Sequence, residues 1–283
     1  MRVRSSMLSF ALLCLAPLFA NQAQASEETR LIDAINAYRN QSQACADQAS
    51  LELPPLASDP RLVLSATSMG DLQQQIARVA YPMVNVQAIS LSGPRDAAAA
   101  MQAIRESFCQ VVLDPQFVDI GVSREDREWR IVVARPLLSA RLGDWQTEGR
   151  KLLEAINGAR AQPRQCGAQA MAAAAPLSWN DTLAGAAQGH GRAMANQNFF
   201  DHIDREGRTP GDGAELAGYS GRLIAENIAA GLDSPRKVVD GWLASPGHCS
   251  NLMNPQLRDM GAAYATDPKS DAGIYWTALF GTP

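Results

Sequence analysis

The strongest constraint on this chain is a long internal repeat. Residues 30–39 read RLIDAINAYR and residues 151–160 read KLLEAINGAR, which keeps apolar, acidic and basic types in register at a separation of 121. The same separation relates Cys45 to Cys166, Pro55 and Leu56 to Pro176 and Leu177, and Leu62 to Leu183. Further on, FCQVVLDPQFVDIG at 108–121 precedes HCSNLMNPQLRDMG at 248–261 by 140 residues, with the cysteine, the Pro-Gln pair, an aspartate and a glycine coincident. A unit of more than 100 residues is too long for a solenoid repeat and large enough to bury its own core, which predicts two domains of one design.

The N-terminus reads as a leader. Arg2 and Arg4 precede the apolar run LSFALLCLAPLFA, and Ala23-Gln24-Ala25 offers a small-x-small cleavage site, so residues 1–25 are expected to be a signal peptide, removed together with Cys14. Loss of the two arginines takes the formal net charge from −4 to −6, and no other apolar stretch is long enough to span a bilayer. An acidic chain without a basic block is a poor partner for nucleic acid or anionic headgroups. The expectation is an exported protein, periplasmic or secreted, with no transmembrane segment in the mature chain.

Export makes disulfides the first reading of the four remaining cysteines, although four cysteines permit three pairings. Each copy of the repeat holds one early and one late cysteine. The simplest pairing consistent with two alike domains is Cys45 with Cys109 and Cys166 with Cys249. It leaves no free thiol, which disfavours the adjacent His248 and Cys249 as a base and nucleophile.

The patterning assigns matching elements to both copies. An opening helix spans about 28–40 and 149–161, with apolar Leu31, Ile32, Ile35 and Tyr38, then Leu152, Leu153 and Ile156. A second helix is expected near Asp59 and near Asn180 or Asp181, side chains suited to capping a first turn. A third is expected at Pro94 and Pro235. Strands follow at VDIGVS and REWRIVVAR, then at DMGAAYAT and GIYWTALFG. Helices followed by an antiparallel pair give an α+β class. The predicted divisions are a domain at 26–136, a linker at 137–147 and a second domain at 148–283.

The repeat also supplies an internal control for function. All three histidines, His190, His202 and His248, fall in the second copy. His190 aligns with Met69 and His248 with Phe108, while His202 lies in NFFDHIDREGRTPGDG, which has no counterpart in the first copy. Glu226 faces Asn85-Val86-Gln87-Ala88, a stretch without a carboxylate. His202, Glu226 and His248 are therefore the candidate cleft residues. His190, in an alanine-rich helix, reads by default as a packed histidine, and Trp179 and Trp242 read as core.

The second copy resembles the CAP superfamily (cysteine-rich secretory, antigen 5, pathogenesis-related 1) in its bacterial branch. The resemblance rests on PLSWNDTLAGAAQGHGRAMANQNFFDH at 176–202, AGYSGRLIAENIAAG at 217–231, VVDGWLASPGHCSNLMNP at 238–255 and the closing YWTALFG, and covers about 150–283. It implies a three-layer α-β-α sandwich with a central cleft, and makes the first copy a degenerate version of the same fold. It also implies that His202, Glu226 and His248 line that cleft, where some relatives hold a divalent cation such as zinc. Ser245 stands where plant and animal relatives place a second acid, and Ala225 where a glycine usually precedes Glu-Asn. These departures weaken the expectation of a tight metal or catalytic centre. The implied function is a binding module for a small ligand or cell-envelope component, with no cofactor required. The alternatives are a metal-dependent hydrolase, peptidase or cell-wall hydrolase, with Glu226 as general base, and a lipid-binding protein.

Overall fold

The computed structural model describes residues 25–46, 48–68, 70–137 and 142–283. The leader expected at 1–25, apart from Ala25, and the centre of the 137–147 linker lie outside those residues. Among the described residues no helix is long and apolar enough to cross a membrane.

The opening helices form where the apolar spacing places them. Glu27–Arg39 buries Leu31, Ile35 and Tyr38, and Trp145–Arg160 buries Leu152 and Ile156. The second starts four residues earlier than expected, because the Asp144 side chain accepts hydrogen bonds from the backbone N–H groups of Gln146 and Thr147. An acidic acceptor there satisfies amides that have no partner within the helix.

Each half contains a four-stranded sheet. In the first, the strands are β1 (Ala57–Ser58), β2 (Met83–Ser92), β3 (Asp119–Glu125) and β4 (Glu128–Pro136), in spatial order β2-β4-β3-β1. In the second they are β5 (Ser178–Trp179), β6 (Leu223–Ala230), β7 (Asp259–Thr266) and β8 (Ile274–Thr282), in the order β6-β8-β7-β5. The two orders are the same, and in both the short first strand pairs in parallel while the rest are antiparallel. The sequence predicted only the last two strands of each sheet. β6 went unseen because it carries a glutamate and an asparagine in mid-strand; in β2 the apolar alternation changes phase between Val86 and Ile89, and only Ile89 and Leu91 are buried.

The second half is a three-layer α-β-α sandwich. On one face of the sheet, Leu152 and Ile156 pack with Val238, Trp242, Trp276 and Phe280. On the other face, helix Asp181–Gln197 lays Leu183 and Ala187 on Ala263 and Leu279, and Met194 on Ile228 and Tyr275. Gly261 permits that close seat, since a Cβ there would meet the main chain of Leu183 and Ala184. In the first half a Cβ on Gly121 would likewise meet the main chain of Leu62.

The corresponding layer is reduced in the first half. The helix expected near Asp59 is a single 3-10 turn, Pro60–Leu62, and the next helix, Leu72–Arg78, waits for the Asp71 cap. Between them lie Val63, Ser65, Thr67 and Gly70, residue types that favour helix interiors poorly. Similarly, the helix expected at Pro94 starts at Ala97, where Asp96 caps the N–H of Ala99, whereas Pro235 does begin its helix.

Two polar devices repeat in detail. Arg39 donates to the carbonyls of Pro54, Val112, Asp114 and Phe117, and Arg160 to those of Ala175, Leu252, Asn254 and Leu257. Both guanidinium groups are buried, and burial lowers their pKa, that of Arg39 to about 9. Asn36 and Asn157 each bracket a leucine, Leu56 and Leu177, through both its N–H and its C=O. The disulfides join Cys45 to Cys109 and Cys166 to Cys249, the pairing the repeat predicts.

Candidate functional site

Helix Asp181–Gln197 carries the first histidine. Asn180 caps its start through the N–H of Leu183, and Asn198 ends it in the left-handed region at φ 50°. Asn tolerates that conformation better than most residues, because its short polar side chain bonds locally. The reversal sends Phe199 and Phe200 back toward the protein and starts the loop that holds His202. His190 Nε2 lies 2.8 Å from the Asp201 carbonyl oxygen. That oxygen can only accept, so Nε2 carries a hydrogen, while the ring meets Phe199 edge-on at 6.0 Å.

Strand β6 supplies the carboxylate. Glu226 pairs in register with Leu279 of β8 and points toward helix Asp181–Gln197, and its side chain is 2% exposed. Oε1 lies 2.7 Å from Nδ1 of His202 and 3.9 Å from Nε2 of His190. A carboxylate oxygen accepts, so His202 carries hydrogen on Nδ1, and in the neutral ring the lone pair is on Nε2. The Glu226 backbone is held as well, with its carbonyl accepting from Asn251 Nδ2.

His248 sits on a helix, Pro246–Met253, beside the disulfide cysteine. Its carbonyl accepts from Asn227 Nδ2, and Asn227 Oδ1 accepts from Asn251 Nδ2, so β6 and this helix are tied by an amide pair. The imidazole is buried against Trp242 at a centroid distance of 6.5 Å, and Nδ1 has no hydrogen-bond partner among the described residues. Burial first, and the nearby His202 second, push its pKa down to about 3. The His248 ring is therefore neutral at physiological pH.

The residues singled out from sequence reach different positions. His202 and Glu226 are in contact, and His248 is close enough to sense His202 but makes no bond to Glu226. His190 is brought beside Glu226, which its helical context did not predict; the only signal for it was the absence of every histidine from the first copy. A cavity of about 250 Å3 opens alongside, lined among others by His190, Asp204, Arg208, Leu216, Glu226 and Leu279.

The donor set fits a cation incompletely. Glu226 Oε1 is engaged with His202 Nδ1, and among the described residues no three His, Cys, Asp or Glu side chains are grouped to hold one ion. What the arrangement offers chemically is an imidazole oriented by a buried carboxylate, next to a second imidazole that stays neutral.

With this geometry established, the second half can be compared with known proteins. The sequence model of the cysteine-rich secretory protein family, CAP, matches residues 153–280. The uncharacterized protein YkwD of Bacillus subtilis is 33% identical over 105 residues, 37% of this chain and 39% of YkwD. The chain therefore spans about two fifths of that relative's length. Among solved structures, an extracellular SCP-domain protein of Bacillus anthracis is 19% identical with a TM-score of 0.43, covering 69% of this chain and 67% of that one. An outer surface protein of Borrelia burgdorferi is 22% identical with a TM-score of 0.40, covering 48% of this chain and 93% of its own.

Proposed function

We propose that the protein is an exported binding module, in which residues 148–283 present the His202–Glu226 cleft to a small ligand or cell-envelope component and residues 26–136 are a degenerate copy that serves as scaffold. The observation that carries this reading is the 2.7 Å contact between His202 Nδ1 and Glu226 Oε1, beside a cavity of about 250 Å3. A buried carboxylate fixes the imidazole's tautomer and direction, which prepares Nε2 to meet a ligand hydrogen-bond donor. Cavity walls of mixed character, with Leu216 and Leu279 beside Asp204 and Arg208, suit a compact ligand with apolar and polar parts. The two disulfides fit an oxidising compartment outside the cytoplasm.

The same contact favours a second reading, hydrolysis. There His202 Nε2 would take the proton of an attacking water and Glu226 would orient the ring, a more economical role for Glu226 than general base, given its bond to Nδ1. The test uses the full chain with soluble peptidoglycan fragments. Saturable binding weakened by His202→Ala, with fragments recovered intact, is the expected result. Cleavage products that disappear in His202→Ala would replace the binding module with a hydrolase, and equal retention by parent and variant would remove the cleft from either role.

A further inference from the structure

The helix that carries His248 does not cap itself. Ser245 occupies the N-cap position, yet its side chain makes no bond to the helix amides. Instead Ser245 Oγ donates to Glu52 Oε2 at 2.6 Å, and the N–H of Gly247 donates to the same oxygen at 3.2 Å. Glu52 belongs to the first half of the chain, 193 residues before Ser245. Its carboxylate therefore does the work of the cap, and its charge lies at the positive end of the helix.

The surrounding chain is shaped to admit it. A Cβ on Gly247 would stand 2.6 and 2.7 Å from the Glu52 oxygens, so a larger residue there would displace the carboxylate from its present seat. The flanking residues of Glu52 dock on the second half too. Leu51 packs against the cluster of Phe199, Ile228 and Tyr275, and a Cβ on Gly241 would stand 2.9 Å from Pro54. Asn40 adds a hydrogen bond to the Ala244 carbonyl at 3.2 Å, just ahead of the helix. In the other direction Phe200, two residues before His202, packs against the first-half core as well as its own. The first half thus touches the chain on either side of the cleft, next to both histidines.

We infer that Glu52 is a positioning residue for His248: the first half of the chain supplies the cap of the His248 helix, so the cleft is completed by both halves. This rests on His248 being a cleft residue, as in the binding reading above.

The test exploits the three histidines of the chain, which give three imidazole spin systems in full-length protein labelled with 15N-histidine. Glu52→Ala is expected to move the His248 ring signals and leave those of His190 in place. It is also expected to speed exchange of the Gly247 amide about tenfold, the size of a lost cap. Glu52→Gln, which keeps an acceptor oxygen, should restore the His248 signals toward their parent positions. Gly247→Ala, which expels the carboxylate, should reproduce the Glu52→Ala pattern and serves if Glu52→Ala does not fold. His248 signals that coincide with the parent's in both Glu52→Ala and Gly247→Ala would overturn the inference. The readout needs no ligand, so moved His248 signals in a protein that retains no peptidoglycan fragment would sink the binding reading alone. Unmoved signals, with retention lost in His202→Ala, would sink the positioning role alone.

Discussion

His202 Nδ1 and Glu226 Oε1 lie 2.7 Å apart, joining the loop after helix Asp181–Gln197 to the edge strand β6 of the second sheet. Glu226 is nearly inaccessible to water, and Oε1 is met by this imidazole and, at 3.9 Å, by that of His190. Removing one member of a buried pair leaves the other desolvated and unsatisfied. His202→Ala should therefore destabilise the protein by about 2 kcal/mol in urea denaturation at pH 7. Adding Glu226→Gln to that variant removes the stranded charge and should recover roughly half of the loss. A His202→Ala protein as stable as the parent would show that Glu226 does not need the imidazole.

The neutral, buried His248 gives stability a pH dependence of definite sign. Its pKa is about 3 when folded against 6.5 as the ordinary value, so the unfolded chain binds the proton and the folded chain refuses it. The stabilisation is complete above pH 6.5 and is lost progressively as pH falls toward 3. Between pH 7 and pH 5 the loss is about 2 kcal/mol. Urea midpoints in EDTA at the two pH values should differ accordingly, and His248→Gln, with no imidazole to protonate, should flatten that slope. An equal slope in the variant would assign the effect to other groups.

Much of the frame was legible because the repeat sampled it twice. The disulfides, the opening helices and the last strand pairs recur at fixed separations, and recurrence distinguishes a structural cysteine such as Cys249 from a reactive one. Arg39 and Arg160 were visible only as matching basic residues. Their role as four-carbonyl hubs depends on backbone brought in from about 75 and 95 residues away, which no local pattern encodes. The site was legible as residue types and not as geometry. Histidines confined to one copy singled out His190, His202 and His248 as candidates, but the engagement of Glu226 with His202, the approach of His190, and Glu52 at the neighbouring helix are tertiary contacts. β6 escaped because its glutamate and asparagine interrupt the apolar pattern that marks a strand.

The disulfides should separate in their effect on the site. Cys166–Cys249 ties the residue next to His248 across 83 positions, and Cys45–Cys109 closes 64 positions in the other half. The Cys166→Ser, Cys249→Ser double variant should lose roughly 3 kcal/mol of stability and show faster amide exchange through Pro246–Met253. The Cys45→Ser, Cys109→Ser variant should lose a similar amount while protection in that helix falls less. Hydrogen exchange read by mass spectrometry distinguishes the two, and equal loss of protection in both would deny the local role.

The tight seat of helix Asp181–Gln197 makes a last prediction about glycine. Gly261 lies under the main chain of Leu183 and Ala184, so a methyl group there must push the helix off the sheet, along with His190 on its flank. Gly261→Ala should cost about 3 kcal/mol and shift the His190 signals. Gly158, exposed near the end of helix Trp145–Arg160, has nothing within 4 Å of its Cβ direction. There alanine reduces the freedom of the unfolded chain without strain, and Gly158→Ala should gain roughly 0.5–1 kcal/mol. Thermal unfolding of the two variants against the parent checks both signs. A tolerated Gly261→Ala would mean that the helix can lift from the sheet at little cost, and that His190 is not held at Glu226 by packing.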